Sequence, residues 1–282
     1  MSDEASRTPL ASFEAKWIAA YPEFGLALRF DRSGERDAQA AFACLVFEIE
    51  HAAFGIREAQ PSAIKLQWWA EELTRAGNGE ARHPLTQALG ARIASERVPS
   101  ALWHEAIVGA LAQRDPEPAP DGQTLLDAYA RLYAPFAKIE AGLFGTGARG
   151  VLGALTLRRA LRETASLPEA LRDGKLPLPL DLLASHRLSR GDLAKASPAR
   201  ALALKEWFGR LGGELRGVGS LAEAGIGAPL GAFRAAMAAA DAKRTDLAQN
   251  ATDPLAAMDT ALAGLSLPVV WSAWRAARRS RR

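Results

Sequence analysis

The chain has 282 residues, 49% apolar and 24% charged, enough to bury a substantial core and unlike a disordered sequence. Net charge is +3, only weakly basic, and the sole cysteine, Cys44, excludes an intramolecular disulfide and a cysteine-based zinc site. Alanine and leucine dominate over β-branched residues, which favours helices throughout.

Residues 1–12, MSDEASRTPLAS, are polar and acidic where a secretory signal would be basic and then apolar, so they read as the loose leader of a cytoplasmic chain. Phe13, Trp17 and Ala20 form a short helical stripe that ends at Tyr21-Pro22; an apolar segment follows to Phe30, and 31–34 is a turn. A long helix is predicted over 36–54, with Ala41, Leu45 and Ile49 at helical spacing. Ser62, after Pro61, is the expected cap of a helix carrying Trp68 and Trp69, read as core anchors, and Gly77-Asn78-Gly79 closes it. His83-Pro84 starts the next helix, with proline where its missing donor costs nothing. Further helices are expected over 85–96, 101–114, 123–144 (with Pro135 as a kink), 151–167, 181–188, 198–215, 233–247, 254–265 and 268–278. Three prolines make 115–121 a loop, a second interruption begins at Pro168, and glycines at 217, 219, 225 and 227 punctuate the stretch after 215. Arg278, Arg279, Arg281 and Arg282 crowd a basic tail, 276–282, whose reach is at most a peripheral contact with the inner face of an anionic membrane. No apolar run is long enough to span a bilayer. The expectation is an all-α fold, with one domain of about ten helices over 13–275.

Familiar catalytic patterns are absent. His51, His83, His104 and His186 have no ligand spacing, no glycine-rich loop fits a Walker or dinucleotide pattern, and no Gly-x-Ser-x-Gly elbow occurs. Arg158, Arg159 and Arg162 share a helix with Glu163, which argues against nucleic acid and for a solvated or diphosphate-facing helix. No residue is assigned a catalytic role.

Three segments together resemble the squalene/phytoene synthase family, the head-to-head branch of the all-α isoprenoid (terpenoid) synthases. KLQWWAEEL followed by RHPLTQAL is similar to the family's Trp-containing helix and its His-Pro, which marks Gln67, Trp68, Trp69, His83 and Pro84. LLDAYARLYAPFAKIEAGLFG, with Tyr129, is similar to the Leu-x-x-Tyr-Ala helix that ends in Leu-Phe-Gly. GALTLRRALRETASLPEALRDGKLPLPLDLL resembles the Leu-Arg-Asp helix and the Leu-Pro-x-Asp-Leu-Leu after it.

The resemblance implies condensation of two prenyl diphosphates, with aspartates on two facing helices holding Mg²⁺ ions against the leaving diphosphate. Here the first helix offers Glu48 and Glu50, two residues apart and so on different faces, with Ala52 or Phe54 one turn on. The second offers Glu163, then Leu167 where another aspartate is expected, with Asp173 in the loop beyond. Thr156 and Arg159 stand where the family has Gln and Asn. Glu48, Glu50, Glu163 and Asp173 are therefore the metal candidates, and Arg158, Arg159 and Arg162 the diphosphate candidates. A fold kept and aspartates lost is similar to the branch that includes the mitochondrial complex I assembly factor homologue.

The first reading is a pseudoenzyme of isoprenoid-synthase fold that binds a prenyl diphosphate, a lipid or a partner protein without full two-metal catalysis. The alternative is an active Mg²⁺-dependent transferase of farnesyl or geranylgeranyl diphosphate in isoprenoid biosynthesis, and a third is a helical scaffold or assembly factor. They divide on whether Glu50 and Glu163 face each other across a cavity.

Overall fold

The computed structural model describes residues 9–30, 34–95, 97–221, 229–263, 269–271 and 274–275. Residues 1–8 of the expected leader, the turn at 31–33, glycines 225 and 227, and the basic tail lie outside them. Among the described residues there is no strand, and thirteen α-helices follow one another. They are α1 (Pro9–Ala20), α2 (Pro22–Phe30), α3 (Arg36–Glu50), α4 (Ala59–Gly77), α5 (Pro84–Leu89), α6 (Ser100–Ala112) and α7 (Gly122–Phe144). Then come α8 (Ala148–Ala165), α9 (Leu167–Arg172), α10 (Leu180–Ser185), α11 (Pro198–Leu221), α12 (Pro229–Asn250) and α13 (Pro254–Ala263). Helix α8 packs against α7, α11 and α12, while α3 lies against α1, α5, α6 and α7.

The differences from the sequence reading have local causes. Helix α1 opens at Pro9, inside the expected leader, because proline suits a first helical position. The expected helix over 85–96 ends at Leu89, where Gly90 takes φ 53° and a short 3₁₀ turn follows. Pro168 opens α9 instead of an interruption, since at the second position its missing N–H removes no helical bond. Ser62 is not a cap: α4 begins at Ala59, and the buried Ser62 hydroxyl donates to the Ala52 carbonyl at 2.7 Å. Trp69 is buried as expected, whereas Trp68 on the next face is 40% exposed, because adjacent helical residues point about 100° apart.

Two irregularities position the site. Beyond Glu50, α3 continues as a single π-helical turn, His51–Gly55. Carbonyls in it and just beyond it are met from outside the helix. Ser62 takes Ala52, and Arg114 donates to Ala53 (3.0 Å), Ile56 (2.5 Å) and Arg57 (2.9 Å). In α7, Pro135 has no N–H for the Arg131 carbonyl, and α6 approaches there through Gly109. A Cβ at 109 would stand 2.5 Å from that oxygen.

Candidate functional site

Glu50, at the end of α3, is the hub. Its carboxylate accepts the Tyr133 hydroxyl of α7 at 2.7 Å and the Tyr21 hydroxyl at 3.2 Å, and it pairs with Arg159 of α8 at 3.4 Å. Glu48 sits roughly 200° around the helix from it. Its carboxylate is held by Lys16 (2.6 Å) and Lys65 (2.7 Å), and it lines none of the cavities described below. Burial opposes ionisation of Glu48, but hydrogen bonds from the two lysines outweigh it and lower its pKa. Of the two glutamates, Glu50 therefore faces the interior cavities and Glu48 faces α1 and α4.

The three sequence-predicted arginines have separate surroundings. Arg158 is buried in an ion-pair network with Glu23 of α2 and Asp241 of α12 (3.2 Å), and Asp241 also holds Arg244 at 2.5 Å. Burial lowers the pKa of Arg158 to about 10. Arg159 bridges Glu50 and Glu163, the latter at 3.2 Å, donates from Nε to Tyr133 Oη at 3.1 Å, and lies 4.2 Å over the Phe54 ring. Arg162 donates to the Ala20 carbonyl at 3.1 Å and stacks 4.0 Å over Tyr21, without a carboxylate partner.

Three cavities meet these residues. The first, lined by Trp17, Phe24, Arg158, Met237 and Asp241 and sharing Tyr21, Phe47, Glu50, Arg159 and Arg162 with the next, has only about 40 Å³. That holds a few waters and is far below the several hundred Å³ usual for a ligand pocket. Arg234, paired there with Glu140, crowds it further, and burial lowers its pKa to about 10.

A second cavity of about 320 Å³ opens over the π-helical turn and brings together Glu50, Arg159, Arg162, Glu163, Asp173 and Lys175, with Tyr21, Phe47 and Phe54 as apolar walls. A third, of about 280 Å³, shares Phe54, Glu163 and Lys175 with it and runs beneath the proline loop 115–121 and Tyr129. Gly174, at φ 78°, turns the chain so that Lys175 follows Asp173 into this region.

Every carboxylate at the 320 Å³ cavity is already held by an arginine. Arg159 holds Glu50 and Glu163, Arg57 holds Asp173 at 2.8 Å, and Arg172 holds Glu169 at 2.6 Å. Among the described residues, Arg162 and Lys175 are the cations at this cavity that make no ion pair. Burial lowers the pKa of Lys175, although Glu163 and Asp173 oppose this. Mg²⁺, implied by the resemblance, needs several carboxylate oxygens converging on one point. No group of three acidic, histidine or cysteine side chains forms such a point among the described residues. A guanidinium stands between Glu50 and Glu163, and Phe54 occupies the position one turn beyond Glu50. In this arrangement the donor set does not fit the ion.

The motif residues Gln67, Trp68, Trp69, His83 and Pro84 line none of these cavities. Gln67 is exposed and reaches Glu71 at 3.4 Å. Trp68, Trp69 and Phe13 surround the His83 ring, whose Nδ1 accepts from Leu85 N at 3.2 Å with Pro84 at the first turn. Sequence reasoning missed Tyr21, Arg57, Tyr133 and Lys175, although Tyr133 and Lys175 lie within the motif-bearing segments themselves. Only Tyr133, one turn from Tyr129 on the same helix face, left a signal that could have been read.

A sequence profile described as squalene/phytoene synthase matches residues 19–275. Among solved structures, squalene synthase HpnC from Alicyclobacillus acidocaldarius is similar at 17% identity and a TM-score of 0.63, covering 90% of this chain and 93% of that one. A dehydrosqualene synthase in complex with ligand is similar at 10% identity and a TM-score of 0.70, covering 86% of each chain. No curated protein sequence matches. At these identities the structural likeness establishes the all-α isoprenoid-synthase fold.

Proposed function

The chain belongs to the squalene/phytoene synthase family, and we propose that within it this member binds an apolar chain with a diphosphate head, a prenyl diphosphate, without carrying out metal-driven ionisation. The observation behind this reading is the charge arrangement of the 320 Å³ cavity, where each carboxylate is matched by an arginine while Arg162 and Lys175 make no ion pair. Two unpaired cations beside Tyr21, Phe47 and Phe54 offer charge-assisted hydrogen bonds to phosphate oxygens and an apolar surface for the chain. The adjoining 280 Å³ cavity gives such a chain somewhere to run. The cavity beside the 320 Å³ one, which shares Tyr21, Phe47, Glu50, Arg159 and Arg162 with it and is also lined by Arg158 and Arg234, has only about 40 Å³, which argues against a second substrate beside the first.

The test is calorimetric titration with farnesyl and geranylgeranyl diphosphate, alongside pyrophosphate release with Mg²⁺ and NADPH. The reading expects binding without release, and roughly tenfold or more weakening in Arg162→Met and Lys175→Met. Steady release of pyrophosphate overturns it in favour of an active transferase, the reading supported by Glu50, Glu163 and Asp173 lining one cavity. Absence of any binding points instead to a scaffold or assembly role through a partner protein.

A further inference from the structure

We infer that Arg159 is a resident cation, built into the chain at the place between the two acidic helices where a divalent ion would bridge them. Its contacts fix it on every side. One terminal nitrogen lies 3.2 Å from Glu163 and the other 3.4 Å from Glu50, while Nε donates to Tyr133 at 3.1 Å. Tyr133 in turn donates to Glu50 at 2.7 Å, so the group forms a closed ring of polar contacts. The face of the guanidinium rests on Phe54 at 4.2 Å, and the side chain is only 10% exposed.

Such a cation offsets both carboxylates where it stands. The Glu50 and Glu163 side chains are 9% and 16% exposed, and without a counter-charge their negative charges would share a low-dielectric space. A single guanidinium spans both and supplies the bridging role with no ion to recruit. The π-helical turn is part of the device, because it carries the Phe54 ring that lies under the guanidinium. Arg159 differs here from Arg158, whose carboxylate partners are Glu23 and Asp241. The consequence is that an anionic headgroup at this cavity is held without divalent metal, and that removing Arg159 leaves a latent divalent-cation site. A hydrated ion, which keeps several of its waters, could then span the two glutamates as the guanidinium does.

This rests on the binding role proposed above, and the test keeps the two separable by using Mn²⁺ alone, without prenyl diphosphate. Free Mn²⁺ is measured by electron paramagnetic resonance for the intact chain, Arg159→Ala, Arg159→Lys, and Arg159→Ala combined with Glu163→Gln. The inference expects Arg159→Ala to take up one Mn²⁺ roughly tenfold or more tightly than the intact chain. The lysine variant, which keeps a cation, and the double variant should both lose that uptake. If Arg159→Ala unfolds in the absence of ions, Mn²⁺ should restore its melting transition while Arg159→Lys folds unaided. A folded Arg159→Ala that binds no Mn²⁺, an intact chain that binds it equally well, or an unfolded variant that Mn²⁺ does not restore overturns the inference. Each of those results leaves the binding role standing, which only pyrophosphate release or failed ligand binding removes.

Discussion

Glu72 on α4 should contribute strongly to stability in a way that pH exposes. Its side chain is fully enclosed, and one oxygen accepts the backbone N–H groups of Arg82 and His83 (both 2.8 Å) and the Thr86 hydroxyl (2.5 Å). The other oxygen meets Arg75 at 3.0 Å. The carboxylate therefore ties the Arg82-His83 entry to α5 onto α4, and α5 buttresses α3 and through it Glu50. Burial raises its pKa, but the bonds from Thr86, His83, Arg82 and Arg75 outweigh this and bring it from 4.5 to about 2. That difference corresponds to about 3 kcal/mol at neutral pH. Because the folded pKa is depressed, the contribution is complete above 4.5 and is lost as pH falls through about 2. Glu72→Gln keeps the shape and removes the charge, so urea denaturation at pH 7 should show a loss of about 2–3 kcal/mol. At pH 3, where the parent has itself lost about 2 kcal/mol, the gap should shrink to about 1 kcal/mol. An equal gap at both pH values, or one below about 0.5 kcal/mol at pH 7, refutes the reasoning.

The two tryptophans should behave differently despite being neighbours. Trp69→Ala, at 1% exposure, should cost about 3–5 kcal/mol in chemical denaturation, while Trp68→Ala, at 40%, should cost about 1 kcal/mol or less. Gly109→Ala would press a methyl group against the α7 backbone at Arg131 and Leu132, which cannot rotate away. A loss of about 1–3 kcal/mol is expected, and an unchanged denaturation midpoint would contradict the close approach at Pro135.

The helical architecture was legible because period-3.6 stripes and proline and glycine punctuation are local properties. Helix ends were less so: Ser62 has the chemistry of a cap, yet a carbonyl from the π-helical turn claims its hydroxyl. The site was legible only in part. Glu48 and Glu50 are equivalent on paper, and what separates them is the arrival of Lys16 and Lys65 on one side and Tyr133 and Arg159 on the other. The arginine cluster was visible, but not its division of labour: Glu163 is Arg159's neighbour one turn on, whereas Glu23 and Asp241 are assigned to Arg158 only by packing. Lys175 carried no local pattern, since its place follows from a turn at Gly174 and from Phe54 across the cavity.

The most direct measurement is the affinity of the intact chain for farnesyl diphosphate in EDTA and again in excess Mg²⁺. With Arg159 standing in for the ion and Arg162 and Lys175 meeting the head, the dissociation constant should agree within about threefold in the two buffers, with no pyrophosphate formed. Binding that appears only with Mg²⁺, accompanied by pyrophosphate release, would contradict the account.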